Sequence, residues 1–338
     1  MNQAPYQLLC RHEDLHTANT LILTAEADFD PQWVSLARES GLRLHTWNWR
    51  CYQNAVNALG EDKVSFGVPE NELPDNTERV ILVWPKSKVL AIALAELLAR
   101  TPSHRYLPEL WVVGSNDAGG KSINSALKEV ADCEKHDSAR RCSLWSCLLK
   151  PAEQAFNWLK LAKPTQYKDQ SFLSLPGVFS QGSLDIGTEL LLQTLPLEKV
   201  KGRVLDLGCG CGVIGLTASN SNCELTMADV DAMALRSAAL NSARQGVEAT
   251  IIPSDGLAEA KGRFNYIITN PPFHTGKETD YSVVETLFRQ ARDKLTQYGE
   301  VWLVANRHLP YEELAAGHFS EQEEMASAKG FKIIRLRR

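Results

Sequence analysis

The segment Asn270-Pro271-Pro272-Phe273 joins two hydrogen-bond acceptors to an aromatic ring at the end of an apolar run. Proline has no amide proton and holds φ at about −65°, so two in succession leave carbonyls that are fixed and have no sheet partner. The Asn270 side-chain oxygen and the Pro271 carbonyl, aimed at one point, can accept both protons of an exocyclic amine, while Phe273 offers a ring face for a base to stack on. Such an amine is a poor nucleophile, because its lone pair is delocalised into the heterocycle. Two acceptors favour a pyramidal nitrogen, release the lone pair and receive the charge that develops as the nitrogen attacks a methyl group. No metal is needed. Asn270, Pro271 and Phe273 are therefore the expected catalytic residues, and Pro272, Phe273 and His274 are expected on the substrate side.

A methyl donor needs its own site, and the run from Asp206 to Gly212, DLGCGCG, supplies a candidate. Its glycines let the chain turn tightly and let a ligand approach the backbone. A dinucleotide fingerprint would space them GxGxxG; here Gly208, Gly210 and Gly212 run GxGxG behind an acid, which disfavours a pyrophosphate and suits a cation. Asp229 ends the next apolar run, where a carboxylate can accept both hydroxyls of a ribose. Asp255 follows a third run and can accept an adenine amino group. Asp206, the three glycines, Asp229, Asp255 and Asn270 together fit a cationic nucleoside. Asn306 and Arg307 follow a fifth run and are expected to orient the nucleotide. His274 is a candidate RNA contact and is not required as a base, since the methylated ammonium is acidic and can lose its proton to water.

These residues must be held by elements, and the second half of the chain alternates buried-strand runs with helical stretches, the signature of βαβ units and a parallel sheet. Arg203–Gly210, Cys223–Asp231, the run ATIIPSDG, Phe264–Phe273 and Gly299–Asn306 read as five strands whose carboxyl ends carry the polar and Gly/Pro clusters. In open α/β sheets ligands bind at that edge. The helix AMALRSAALNSARQ should close at Gly246. The first half carries a weaker copy: Leu110–Asn116 resembles Val301–Asn306, and Arg79–Ser87 resembles the strand leading to Asn270. In that copy Asn48 stands opposite Asp229, Trp84-Pro85-Lys86 replaces Asn270-Pro271-Pro272, and the Gly-rich turn is missing. We expect an internal duplication whose first copy binds no cofactor.

Composition bounds the rest. The 338 residues suggest two domains, and 44% hydrophobic with 23% charged residues excludes a disordered or collagenous chain. No basic, apolar leader opens the sequence, and the run Val89–Leu98 is broken by Glu96, so a cytoplasmic protein without membrane insertion is expected. The eight cysteines form no CxxC pair, which favours reduced thiols over disulfides, and Cys209 and Cys211 lack the second ligand pair that zinc needs. A net charge of −5 does not advertise a nucleic-acid partner. Local basic clusters at Lys332, Arg335, Arg337 and Arg338, and at Lys160, Lys163 and Lys168, are candidates, with a solvated chain end and a solvated linker as the plainer readings.

The acid and Gly turn, Asp229 and the NPPF motif resemble the class I S-adenosylmethionine-dependent methyltransferases that modify amino groups. More closely, Pro176–Leu192, Thr269–Gly276 and Val304–Leu314 are similar to the bacterial ribosomal RNA guanine-N2 methyltransferases of the small-subunit, RsmC kind. The resemblance covers nearly the whole chain and is strongest over residues 176 to 338. It implies two tandem Rossmann-like methyltransferase domains, each a mostly parallel seven-stranded sheet flanked by helices. Residues 1–150 would form a degenerate domain serving RNA or ribosome contacts, 151–184 a linker and lead-in loop, and 185–338 the catalytic domain. The implied reaction moves a methyl group from S-adenosylmethionine to the N2 amine of a guanine in 16S rRNA, within rRNA processing. A monomer without metal is expected. A 23S rRNA target, shared NPPFH and NRHL motifs being common to both, and a protein glutamine amide are the alternatives.

Overall fold

The computed structural model describes residues 3–70, 72–100, 107–271 and 278–338, so Pro272, Phe273 and His274 lie outside the described residues. The chain divides into two compact units, Met1–Leu161 and Ala162–Arg338. In the first, helix α1 (Ala4–Leu9) precedes strand β1 (Thr20–Thr24), and then α2 (Pro31–Ser40), β2 (Arg43–Thr46), α3 (Trp49–Leu59), β3 (Val64–Phe66), β4 (Arg79–Val83), α4 (Lys88–Leu98), β5 (Glu109–Ser115), α5 (Ile123–Leu127), β6 (Ala131–Ala139) and β7 (Cys142–Leu149) follow. The second unit opens with a hairpin of β8 (Lys163–Tyr167) and β9 (Gln170–Ser174). Its main part runs through α6 (Ile186–Thr194), β10 (Gly202–Leu207), α7 (Val213–Ala218), β11 (Cys223–Asp229), α8 (Ala232–Gln245), β12 (Ala249–Pro253), β13 (Phe264–Thr269), α9 (Glu278–Lys294), β14 (Leu295–Asn306), α10 (Tyr311–Ala315), β15 (Glu321–Ala328) and β16 (Phe331–Arg337).

Both large sheets have seven strands in the same order. The first runs β3-β2-β1-β4-β5-β7-β6 and the second β12-β11-β10-β13-β14-β16-β15. The first five strands of each are parallel, and the sixth, β7 or β16, runs antiparallel to both of its neighbours. Central parallel strands are covered on both faces, so they read as unbroken apolar runs: β1 is buried at all five positions. Helix starts follow the sequence signals. Asp30, Asn48, Ser87, Asp185 and Asp231 each accept a backbone N–H from the first turn of α2, α3, α4, α6 and α8. Gly246 closes α8 in the left-handed conformation.

Sheet register corrects the residue-by-residue matching of the two halves. Leu23 pairs with His45 and Leu82 as Leu207 pairs with Ala228 and Thr269. With Trp111 matched to Trp302, the ladders set Ile22 level with Asp206, Thr46 with Asp229 and Val83 with Asn270. Asn48, expected at Asp229, instead caps α3 as Asp231 caps α8. Trp84 falls one place on, at Pro271.

Three further expectations change. The 151–184 segment is divided after Leu161, and its later part, which holds the β8–β9 hairpin, belongs to the second unit. The C-terminal basic cluster lies largely on β16, inside the sheet, where Arg337 pairs with Glu300 at 2.8 Å, Arg335 with Glu323, and Lys332 with Glu312 at 2.6 Å. Cys133 and Cys147 sit directly opposite on β6 and β7 and are joined in a disulfide, whereas reduced thiols were expected throughout.

Candidate functional site

The site is built where β11, β10, β13 and β14 end. Gly208, Gly210 and Gly212 have φ of 70°, 54° and 84°, a region closed to most side chains, so this turn needs glycine. A Cβ at Gly208 would meet nothing within 4 Å, and one at Gly210 only Val178 at 3.9 Å, so the backbone here stands open to a ligand.

Three acids surround the turn. Asp206 is fully buried; its Oδ2 accepts the Gly215 N–H of α7 at 2.7 Å, and its Oδ1 has no partner among the described residues. Burial and the neighbouring Asp229 push its carboxyl up to about 7, against the help of the Gly215 N–H. Asp229 accepts Gly210 N–H at 2.8 Å through Oδ2 and Asp231 N–H at 3.0 Å through Oδ1, tying the end of β11 to the glycine turn. Burial raises its carboxyl too. Asp231, the cap of α8, is raised to about 7 by burial and by Asp229. An orphaned, buried carboxylate oxygen beside two raised acids is what a cationic group would satisfy. Asp255 lies one residue beyond Ser254, whose N–H donates to the Asp229 carbonyl, so it belongs to the same edge.

A fully buried residue not singled out from the sequence braces this turn. Asn241 of α8 donates to the Cys211 and Leu173 carbonyls, both at 2.9 Å, and accepts the Leu173 N–H at 2.8 Å. It thereby clamps β9 and the glycine turn to one helix. Cys209 and Cys211 are buried, and burial pushes both thiols up, away from the thiolate a metal would require. Among the described residues no group of His, Cys, Asp and Glu could hold a metal ion.

On the other side of β10, Asn270 follows the last residue of β13. Its Nδ2 donates to Asp185 Oδ2 at 2.8 Å and to Thr188 Oγ1 at 2.9 Å. Its Oδ1 is buried and has no partner among the described residues. Pro271 is buried beside it. One strand further, Asn306 ends β14, with Arg307 and His308 exposed beyond it. The edge therefore offers a buried acceptor at Asn270, an open glycine turn next to it, and an acid cluster suited to a cation. Sequence reading missed Asp185, Thr188, Asp231 and Asn241. Only the last two carried a local signal, the second acid of Asp229-Val230-Asp231 and a polar residue on the buried face of α8.

Both units are similar to known methyltransferase domains. Residues 169–335 match the family model for the methyltransferase small domain, and residues 6–165 that for the methyltransferase small domain N-terminal. The chain is 36% identical over 337 residues to the ribosomal RNA small subunit methyltransferase C of Haemophilus influenzae (strain ATCC 51907 / DSM 11121 / KW20 / Rd), covering 98% of each chain. It is 40% identical over 299 residues to the protein of the same name from Pasteurella multocida (strain Pm70), covering 87% and 88%. Among solved structures, the T. thermophilus 16S rRNA guanine-N2 methyltransferase, in complex with AdoMet and guanosine, shares the fold with a TM-score of 0.76 at 20% identity, over 96% of this chain and 91% of that one. The two units are thus tandem α/β domains of the class I methyltransferase type.

Proposed function

This chain belongs to the ribosomal RNA small subunit methyltransferase C family, and on that premise we propose that it methylates the exocyclic N2 amine of a guanine in 16S rRNA, using S-adenosylmethionine. The bound cofactor supplies an electrophilic methyl group on a sulfonium. Asp206, Asp229 and Asp255, with the turn Gly208–Gly212, would hold it: the orphaned Asp206 oxygen fits its cationic part, Asp229 its ribose and Asp255 its adenine.

The observation that carries the reading is the unpartnered, buried Oδ1 of Asn270. That oxygen and the Pro271 carbonyl accept the two protons of the guanine amine and draw its lone pair out of conjugation. Phe273 stacks on the base, and Pro272, His274, Asn306 and Arg307 contact the nucleotide. Reaching N2 takes the base out of its stack, which costs a few kcal/mol in a duplex. The proton released after transfer passes to water. The first unit contributes RNA contacts and no cofactor site. The protein works in the cytoplasm, as a monomer without metal, on RNA of the small subunit. No helix among the described residues is long and apolar enough to cross a membrane.

The test is label transfer from radiolabelled S-adenosylmethionine to naked 16S rRNA, assembled small subunits, 23S rRNA and peptide-release factors, with the product digested to nucleosides or peptides. Label in N2-methylguanosine from small-subunit RNA is expected. Label confined to large-subunit RNA or to a glutamine would overturn the assignment.

A further inference from the structure

An acceptor made from a primary amide is only as good as its orientation. The two ends of the Asn270 side chain have similar shape and opposite hydrogen-bonding character, and a half-turn about its last torsion would aim N–H groups at the substrate amine. Donor would then face donor. Something must hold the oxygen outward before substrate arrives.

The structure assigns this task to Asp185, assisted by Thr188: they are positioning residues that fix the Asn270 amide with its oxygen toward the substrate, an inference that rests on reading Asn270 as the acceptor. A carboxylate is acceptor-only, so whichever end of the amide faces Asp185 must be the nitrogen. Asp185 Oδ2 lies 2.8 Å from Nδ2, and Thr188 Oγ1 takes a second contact at 2.9 Å, leaving Oδ1 as the buried atom with no partner among the described residues. The carboxylate is itself immobilised, because the same Oδ2 caps α6 by accepting the Thr188 N–H at 2.9 Å. The helix is held in turn: a Cβ on Gly187 would stand 2.6 Å from Val304 Cγ1, so the first turn of α6 rests directly on β14.

The first unit lacks the whole arrangement at once. Its helix α1 starts at Gln3 with no side-chain cap, Tyr6 occupies the third helical position as Thr188 does in α6, and Val83 stands where Asn270 stands. Tyr6 bonds Thr24 Oγ1 and the Glu26 carbonyl instead. Where there is no amide to orient, there is no acid to orient it.

The experiment compares the full-length wild type with Asp185→Ser, Asp185→Asn, Asn270→Ala and the Asp185→Ser/Asn270→Ala double variant. Serine still caps a helix but is too short to reach Asn270, whereas asparagine keeps an oxygen for both partners. Asp185→Ser is expected to lower kcat on small-subunit RNA by about 10- to 100-fold, with both KM values and Tm near wild type, and Asp185→Asn to recover most of the rate. In the Asn270→Ala background Asp185→Ser should cost nothing more, since no amide remains to be turned. An unimpaired Asp185→Ser enzyme, or the same fold loss in both backgrounds, would overturn the inference. A second readout does not depend on turnover: the Asn270 side-chain amide protons, identified in NMR spectra by their absence from Asn270→Ala, should exchange slowly in wild type and fast in Asp185→Ser. Should wild type itself leave small-subunit RNA unmodified, the substrate assignment fails while the amide signal still decides the positioning role, equal exchange in both proteins counting against it.

Discussion

Two sheets of identical strand order stand in one chain, and they differ most where a ligand would sit. At the three strand-end positions matched by register, the second unit has Asp206, Asp229 and Asn270, and the first has Ile22, Thr46 and Val83. After β10 the chain turns through three positive-φ glycines; after β1 no residue of the turn before α2 has positive φ. Asp229 Oδ1 and Thr46 Oγ1 accept the N–H two residues on, at 3.0 Å in each case, so the backbone path survives the exchange of residue. The fold is therefore indifferent to the chemistry. What distinguishes an active edge is a set of buried polar groups whose burial opposes folding, and the first sheet shows the same edge once those groups have been replaced by residues that favour burial.

Exchanging residues between the units tests this. Asn270→Val imports the first unit's residue and removes the acceptor; kcat should fall by about 100- to 1,000-fold with calorimetric affinity for S-adenosylmethionine retained, and a fully active variant would refute the acceptor role. Asn241→Ala imports Ala58, which lies ten residues beyond its helix cap as Asn241 does. It removes the partner of the buried Cys211 carbonyl and of the half-buried Leu173 N–H and carbonyl, which should cost about 3 kcal/mol in denaturant unfolding of the second unit. Stability within experimental error of wild type would remove the clamp from the account. Asp229→Thr imports Thr46 and keeps the bond from the Asp231 N–H while losing the second carboxylate oxygen and with it the Gly210 N–H bond. The cofactor Kd should rise by about 10-fold or more, corresponding to one charge-assisted hydrogen bond, and an unchanged Kd by calorimetry would remove the ribose assignment.

Much of this was legible in the sequence, for identifiable reasons. Central parallel strands are apolar on both faces, so β10, β11, β13 and β14 announce themselves, and glycine or proline at their ends marks the ligand edge. What depends on register or on distant partners was not legible. Asn48 was matched to Asp229 because β2 has four residues where β11 has seven, and only the ladder reveals which ends coincide. Arg335 and Arg337 looked like a basic patch until pairing set them opposite Glu323, Glu300 and Glu321. Cys133 and Cys147 likewise meet only through the β6–β7 register. Asp185 lies 85 residues from Asn270 in sequence, and no local spacing connects an ordinary helix cap to a strand end that far away.

The smallest effect concerns pH, and it separates the units by sign as well as size. Asp206 and Asp231 hold their protons to about pH 7 in the folded chain, against an ordinary value of 3.8, chiefly because burial penalises the charged form. The folded state thus binds protons that the unfolded state has released. The stabilisation is complete below the unfolded value and is lost as pH rises through the interval up to about 7. The gap between wild type and Asp206→Asn should accordingly be smallest near pH 4 and widen up to about pH 7, since across that interval only the folded chain keeps the Asp206 proton. By pH 8 wild type should fall behind by several degrees. In the first unit Ile22 fills the matching position and cannot titrate, so Ile22→Val should shift Tm equally at both pH values. A bound cation favours the ionised acid, so S-adenosylmethionine should release protons on binding between pH 6 and 7, visible as a dependence of the calorimetric heat on the buffer's ionisation enthalpy. That dependence should shrink in Asp206→Asn. Were the wild type and Asp206→Asn melting curves to stay parallel from pH 5 to 8, the buried acid would not be the feature that sets the second edge apart, and the contrast between the sheets would rest on Asn270 and the glycine turn alone.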